Sequence, residues 1–148
     1  MSMESPKIDI GLISESRNPY QAMARYWGIE TLQNLRDREN NDLTLIMSGV
    51  FGNISRLNHQ TRSTEEVTRF SLALEEIVQT SKINRINYST YPDKTLEKAI
   101  ELAGVSLKIL SVLRSGLSTW IETDKVIVKP SSSSKTQQIW PLNILEDL

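Results

Sequence analysis

TLEKAIELAGVSLKILSVLRSG, residues 95–116, predicts two short helices joined by a tight turn. Apolar residues recur at helical spacing over 95–103, which indicates the first helix. Gly104 suits the left-handed backbone that ends a helix, and Ser106 is a natural N-cap for a second helix that Gly116 ends. A short helix, a glycine-containing turn and a second helix form the helix-turn-helix arrangement, whose second helix enters the major groove of DNA.

The same residues carry a resemblance to a known family. They stand where the headpiece of LacI-type repressors has its Thr-Leu, Ala-Gly-Val-Ser, Ser and small aliphatic residues: Thr95, Leu96, 103–106, Ser111 and Leu113. The resemblance is confined to residues 95–116 of a 148-residue chain. It implies a DNA-binding helix-turn-helix.

The resemblance also implies which residues face the nucleic acid. Leu107, Lys108 and Val112 occupy the positions from which that family reads bases, and of these only Lys108 can donate hydrogen bonds. Ile100 stands where the family has a small alanine between its two helices. We therefore expect the second helix to bind phosphates rather than base edges. The residues expected to do so are Ser106, Lys108, Ser111 and Arg114.

The elements around this corner predict a larger unit. A helix over 64–80, a strand over 85–89, the corner and a hairpin over 118–129 follow the order of a winged helix. The hairpin would be the wing and would bring Lys125 and Lys129 to the phosphate backbone. The predicted fold class is mainly α: a helical N-terminal half followed by a winged-helix-like unit with a small C-terminal β-hairpin.

The N-terminal half is predicted from helix start signals and apolar spacing. Asn18 before Pro19 begins a first helix that we expect to end near Arg38. A second helix fits 42–57, and Ser63 with Glu66 has the form of a capping box at the start of the third helix.

Three segments of the chain are distinguished by composition. Residues 1–17 form an entry segment with a short strand over Ile8–Ile13, and residues 18–130 form a single helical domain. Residues 131–148 combine a serine run with an apolar, acidic end, so we expect a flexible linker and tail.

Composition excludes several kinds of chemistry. The chain has no cysteine and one histidine, His59, so we expect no disulfide, metal site or cofactor. No phosphate-binding glycine loop or nucleophile motif occurs, and we expect no enzymatic activity. The chain has neither a membrane-spanning apolar run nor the features of a secretory signal, which predicts a soluble cytoplasmic protein without membrane contact.

Charge and aromatic residues offer further candidates. Residues 94–130 carry six basic and four acidic groups, a net charge of +2 in a chain whose net charge is −1. Tyr26 and Trp27 beside Arg25 suit either base stacking or a core. Basic residues around 56–69 suit either a phosphate path or a solvated surface: Arg56, His59, Arg62 and Arg69.

Two functions remain open from the sequence. The first is a small nucleic-acid-binding protein, a regulator or a subunit of a nucleoprotein complex, with duplex DNA as the first candidate ligand and RNA or single-stranded DNA as alternatives. The second is a helical interaction or scaffold protein whose corner is purely structural. In either case the apolar and acidic tail over 139–148 would dock on a protein partner or a second copy, or fold back on its own core.

Overall fold

Two long helices form the N-terminal half of the fold. The structure is a computed structural model that describes residues 12–46, 50–89, 91, 93–113, 115–130 and 135–141. Within the two long helices, it describes the side chains of all residues except 39–63. Helix α1 covers Pro19–Ile46 and helix α2 covers Val50–Ser81. The predicted start of the first helix is confirmed, because the Asn18 side chain accepts a hydrogen bond from the backbone N–H of Gln21 at 2.8 Å.

The two helices lie antiparallel along a polar seam. Asn18 at the start of α1 donates to Gln79 near the end of α2 at 3.2 Å, and Gln21 donates to Glu75 at 2.8 Å. One turn further along α1, the Ser71 hydroxyl donates to the carbonyl of Ala24. These contacts fix the register of the pair.

The helices are longer than the sequence predicts. The first helix runs past Arg38 to Ile46, and α2 is continuous through the expected start at Ser63. The prediction of separate helices over 42–57 and 64–80 is therefore wrong. No proline lies between 39 and 63. Apart from glycine, each residue of this stretch costs at most about 0.7 kcal/mol relative to alanine in a helix. Packing of one long helix on another outweighs such costs.

The described strands form one antiparallel sheet in chain order. The strands are β1 (Arg85–Tyr88), β2 (Leu117–Glu122), β3 (Lys125–Lys129) and β4 (Gln137–Trp140). The predicted strand near 85–89 and the hairpin over 118–129 are confirmed. Thr123 and Asp124, which connect β2 to β3, both have positive φ, as a tight two-residue hairpin turn requires.

Strand β4 corrects two expectations. It lies inside 131–148, so a flexible linker and tail does not describe residues 137–140, while 131–134 and 142–148 lie outside the described residues. The fold is mixed, with helices and a four-stranded antiparallel sheet, rather than mainly α with a lone hairpin. Ile139 and Trp140 pack against the core, and β4 pairs the edge of β3 that a hairpin would leave open.

The predicted N-terminal strand falls mostly outside the described residues. Residues 1–11 are not described, and Ile13 begins a short 3₁₀ helix, η1 (Ile13–Glu15). This helix lies beside α1 and β4.

The core lies between the helices and one face of the sheet. Alternation along the strands buries Ile86, Thr119 and Val126 on this face. Trp27 of α1 is fully buried there, and its indole N–H donates to the hydroxyl of Thr119 at 2.7 Å. That hydroxyl donates in turn to the carbonyl of Ile86 at 3.3 Å. A buried chain of hydrogen bonds therefore joins α1, β2 and β1.

Replacing Thr119 by valine keeps the shape of the side chain but removes the acceptor of the Trp27 indole. We expect Thr119→Val to lower the free energy of unfolding by about 1–3 kcal/mol, because a buried N–H loses its partner. Urea unfolding followed by circular dichroism measures the change. The matched control is Thr68→Val, since Thr68 is also buried but bonds only to the Thr64 carbonyl of its own helix. An effect at Thr119 no larger than at Thr68 would contradict this role.

Candidate nucleic-acid interface

The first helix of the corner forms as the sequence predicts. Helix α3 covers Lys94–Ala103, and the Asp93 carboxylate accepts from the backbone N–H of Thr95 at 2.8 Å. Gly104 ends the helix at φ +69°, and its N–H bonds to the carbonyl of Ile100 at 3.0 Å. The cap predicted at Gly104 is present, and the N-cap at Asp93 is an addition to the sequence-based prediction.

The second helix of the corner is shorter and more tightly wound than predicted. It is a six-residue 3₁₀ helix, η2 (Leu107–Val112), and not an α-helix that continues to 115. The Ser106 hydroxyl accepts from the N–H of Lys108 at 3.2 Å, as an N-cap should. Its i→i+3 hydrogen bonds include those from Ile109 to Ser106 and from Leu113 to Leu110. At about 2.0 Å per residue, η2 is about 12 Å long.

Burial divides η2 into an inner and an outer side. Ile109 and Leu110 are buried in the same core cluster as Trp27. Leu107 and Lys108 are exposed to solvent, and so are the flanking serines at 106 and 111. The apolar anchor therefore holds the polar side of the corner outward. Helix α1 packs against η2 without covering these positions.

Helix α1 adds a basic residue to this outer side. The Arg38 guanidinium donates to the Ser111 hydroxyl at 3.3 Å, and that hydroxyl donates to the carbonyl of Lys108 at 2.7 Å. We call Arg38, Ser106, Lys108 and Ser111 the corner surface. The contribution of Arg38 could not be predicted from the sequence, because its contact with Ser111 spans 73 positions. A helix predicted to end near Arg38 gives no reason to place this side chain beside the corner.

The two predicted lysines of the hairpin lie on the sheet and not on the corner surface. Arg114 lies outside the described residues. Lys125 and Lys129 lie on β3, four residues and about 13 Å apart. Lys129 pairs with Ser118 near the start of β2, whereas Lys125 pairs with Glu122 at the hairpin tip. The predicted site is thus split between the corner and the sheet.

The other candidates are resolved in part. Base stacking by Trp27 is excluded because the ring is fully buried. Burial raises the pKa of the Tyr26 phenol well above its usual value, and the neighbouring carboxylate of Glu30 raises it further. Arg25 donates to the carbonyl of Leu12 at 2.8 Å. Arg69 is exposed, while the side chains of the other three basic candidates, Arg56, His59 and Arg62, lie outside the described residues.

The left-handed turn at Gly104 joins α3 to η2, so the position of the corner surface depends on it. Gly104→Ala should lower the free energy of unfolding by about 1–2 kcal/mol, because a Cβ disfavours this backbone. No atom lies within 4 Å of the position of the new Cβ, so steric contact adds nothing. Gly104→Asn should cost less, because asparagine tolerates the left-handed region. Thermal or urea unfolding compares the two, and equal losses would contradict this explanation.

None of the described helices is long and apolar enough to cross a membrane. Within the described residues, no three carboxylate or histidine side chains come together as metal ligands. No protein-family model matches the chain, and no curated protein or solved structure matches it.

Proposed function

We propose that the protein binds nucleic acid through the corner surface. The observation that carries this proposal is the hydrogen bond from Arg38 of α1 to Ser111 of η2, on the same open side as exposed Lys108 and above a buried apolar anchor. The two cations and the Ser106 hydroxyl can donate hydrogen bonds to phosphate oxygens. The Ser111 hydroxyl donates to the Lys108 carbonyl and accepts from Arg38, so it holds the Arg38 guanidinium at the corner before a ligand arrives.

Phosphate contact fits this surface better than base reading. A 3₁₀ helix of about 12 Å presents few side chains to a groove. The outermost one, Leu107, can at most touch a thymine methyl. Affinity would therefore come mainly from charge, with a strong dependence on salt concentration.

The order of elements supports a winged-helix-like arrangement. Strand β1, helix α3, η2 and the β2–β3 hairpin follow α2 in the sequence that such a unit has. In this arrangement Lys129 and Lys125 on the hairpin supply a second set of phosphate contacts. Duplex DNA is the ligand that the helix-turn-helix resemblance favours, with RNA and single-stranded DNA as the alternatives.

One observation favours protein interaction as a second candidate. Leu102 at the end of α3 is 56 % exposed, and Leu107 across the turn is 51 % exposed. Apolar side chains on both sides of Gly104 suit contact with a protein partner. In that case the corner surface would be the polar rim of a protein interface, and the affinity would not fall steeply as the salt concentration rises.

Charge reversal on the corner surface tests the first candidate. Lys108→Glu together with Arg38→Glu should weaken binding to a short duplex at least tenfold. It should also make the negative slope of log affinity against log salt shallower by about two, because about two phosphate contacts are lost. Fluorescence anisotropy at two salt concentrations measures both quantities.

The control for that test carries the same change of charge elsewhere. Arg17→Glu with Lys82→Glu alters two exposed residues at the end of the helix pair where Asn18 meets Gln79, and Arg17 lies about 30 Å from Arg38 along α1. This variant should bind nearly as the wild type does. Equal losses in both variants, or no loss in the corner variant, would reject the corner surface as the binding site.

A further inference from the structure

The sheet has a second face, opposite the one that packs on the helices. Register and alternation place eight residues of β1, β2 and β3 on this face, which we call the open sheet face: Arg85, Asn87, Ser118, Trp120, Glu122, Lys125, Ile127 and Lys129. Each is exposed or half-buried, whereas the alternate strand positions from Ile86 to Val128 are largely buried. The face is therefore distinct from the core.

Trp120 lies at the centre of the open sheet face. It pairs across the strands with Arg85 on one side and Ile127 on the other. The Arg85 guanidinium stands 5.0 Å from the centroid of the indole ring. Ile121, the neighbour of Trp120 in sequence, packs against the core, whereas Trp120 does not. The indole thus contributes to the surface of the sheet and not to its packing on the helices.

The charges around Trp120 favour an anionic ligand. Arg85, Lys125 and Lys129 outnumber Glu122, the acidic residue that strand alternation places on this face. Asp124 lies beyond the last strand pair, in the hairpin turn. Lys125 and Lys129 lie about 13 Å apart on β3, on either side of the residue that pairs with Trp120, and Arg85 lies beyond the ring on β1. An extended polyanion can contact them while one of its groups lies on the ring.

We infer that the open sheet face binds single-stranded nucleic acid by stacking an unpaired base on Trp120. Arg85 and the two lysines then contact the adjoining phosphates. Aromatic rings on a basic surface are the usual means of binding single strands without sequence preference, and a guanidinium plane also stacks on bases. A duplex is excluded from this contact because its bases are already paired and stacked. The inference rests on the proposed nucleic-acid binding but uses a different surface.

The experiment separates base stacking from phosphate attraction. The full chain is titrated by fluorescence anisotropy with a twelve-nucleotide thymidine strand and with an abasic strand of equal length and charge. Wild-type protein should bind the thymidine strand about tenfold more tightly or better, since each stacked base contributes about that much. Trp120→Leu keeps an apolar side chain but removes the ring, and it should bind both strands equally.

Two variants show whether the ring itself is responsible. Trp120→Phe retains an aromatic face and should keep most of the preference for the thymidine strand. Leu72→Ala truncates an exposed apolar side chain on α2, outside the open sheet face, and should keep the preference in full. Circular dichroism and urea unfolding establish that each variant is folded.

The outcomes distinguish this inference from the proposed function of the corner. A wild-type protein without preference for bases, or a Trp120→Leu variant that keeps the preference, overturns the inference. The variant with glutamate at 38 and 108 should lose duplex affinity while keeping the ratio between the two strands. If it loses nothing while Trp120→Leu loses the preference, the corner proposal fails and the sheet inference stands.

Discussion

The hydrogen bond between the Trp27 indole and the Thr119 hydroxyl is the contact on which the rest of the fold depends. It joins residues 92 positions apart inside a core where neither side chain meets solvent. Through it, the N-terminal third of α1 is fixed against the middle of β2. An indole N–H placed at this depth without an acceptor would cost about 1–3 kcal/mol, so the register between helix and sheet has few alternatives.

Both candidate surfaces follow from that fixed register. The apolar anchor of η2, Ile109 and Leu110, belongs to the same core cluster as Trp27, so the corner is held relative to α1 and receives Arg38. Burial of one sheet face leaves Trp120 and its basic neighbours on the other. The corner supplies cations and hydroxyls on a short helix, and the sheet supplies an aromatic ring between cations. Together they offer contacts of two kinds, one for phosphates and one for an unpaired base.

Sequence reasoning recovers the parts of this fold that depend on local signals. Asn18 and Pro19, Gly104 and Ser106 each act within a few residues, and each does what its chemistry predicts. The errors arise where long-range packing decides the outcome. The capping-box pattern of Ser63 and Glu66 predicted a new helix start, but α2 continues through it, because pairing of α1 with α2 outweighs weak local preferences. Strand β4 was missed because four residues after a serine run give little signal, and its stability comes from the edge of β3. Arg38 was missed for the same reason, whereas Lys108, Ser106 and Ser111 are exposed as predicted.

Two surfaces, the corner surface and the open sheet face, are proposed to contact nucleic acid directly. Backbone amide and indole N–H signals of the isotope-labelled protein, followed by two-dimensional NMR during titration with a short single strand and then a short duplex, test this proposal residue by residue. We expect shifts at Lys108 and Ser111 with both ligands, and at the indole of Trp120 with the single strand alone. Shifts confined to other parts of the chain, or none at either surface, would contradict the proposal.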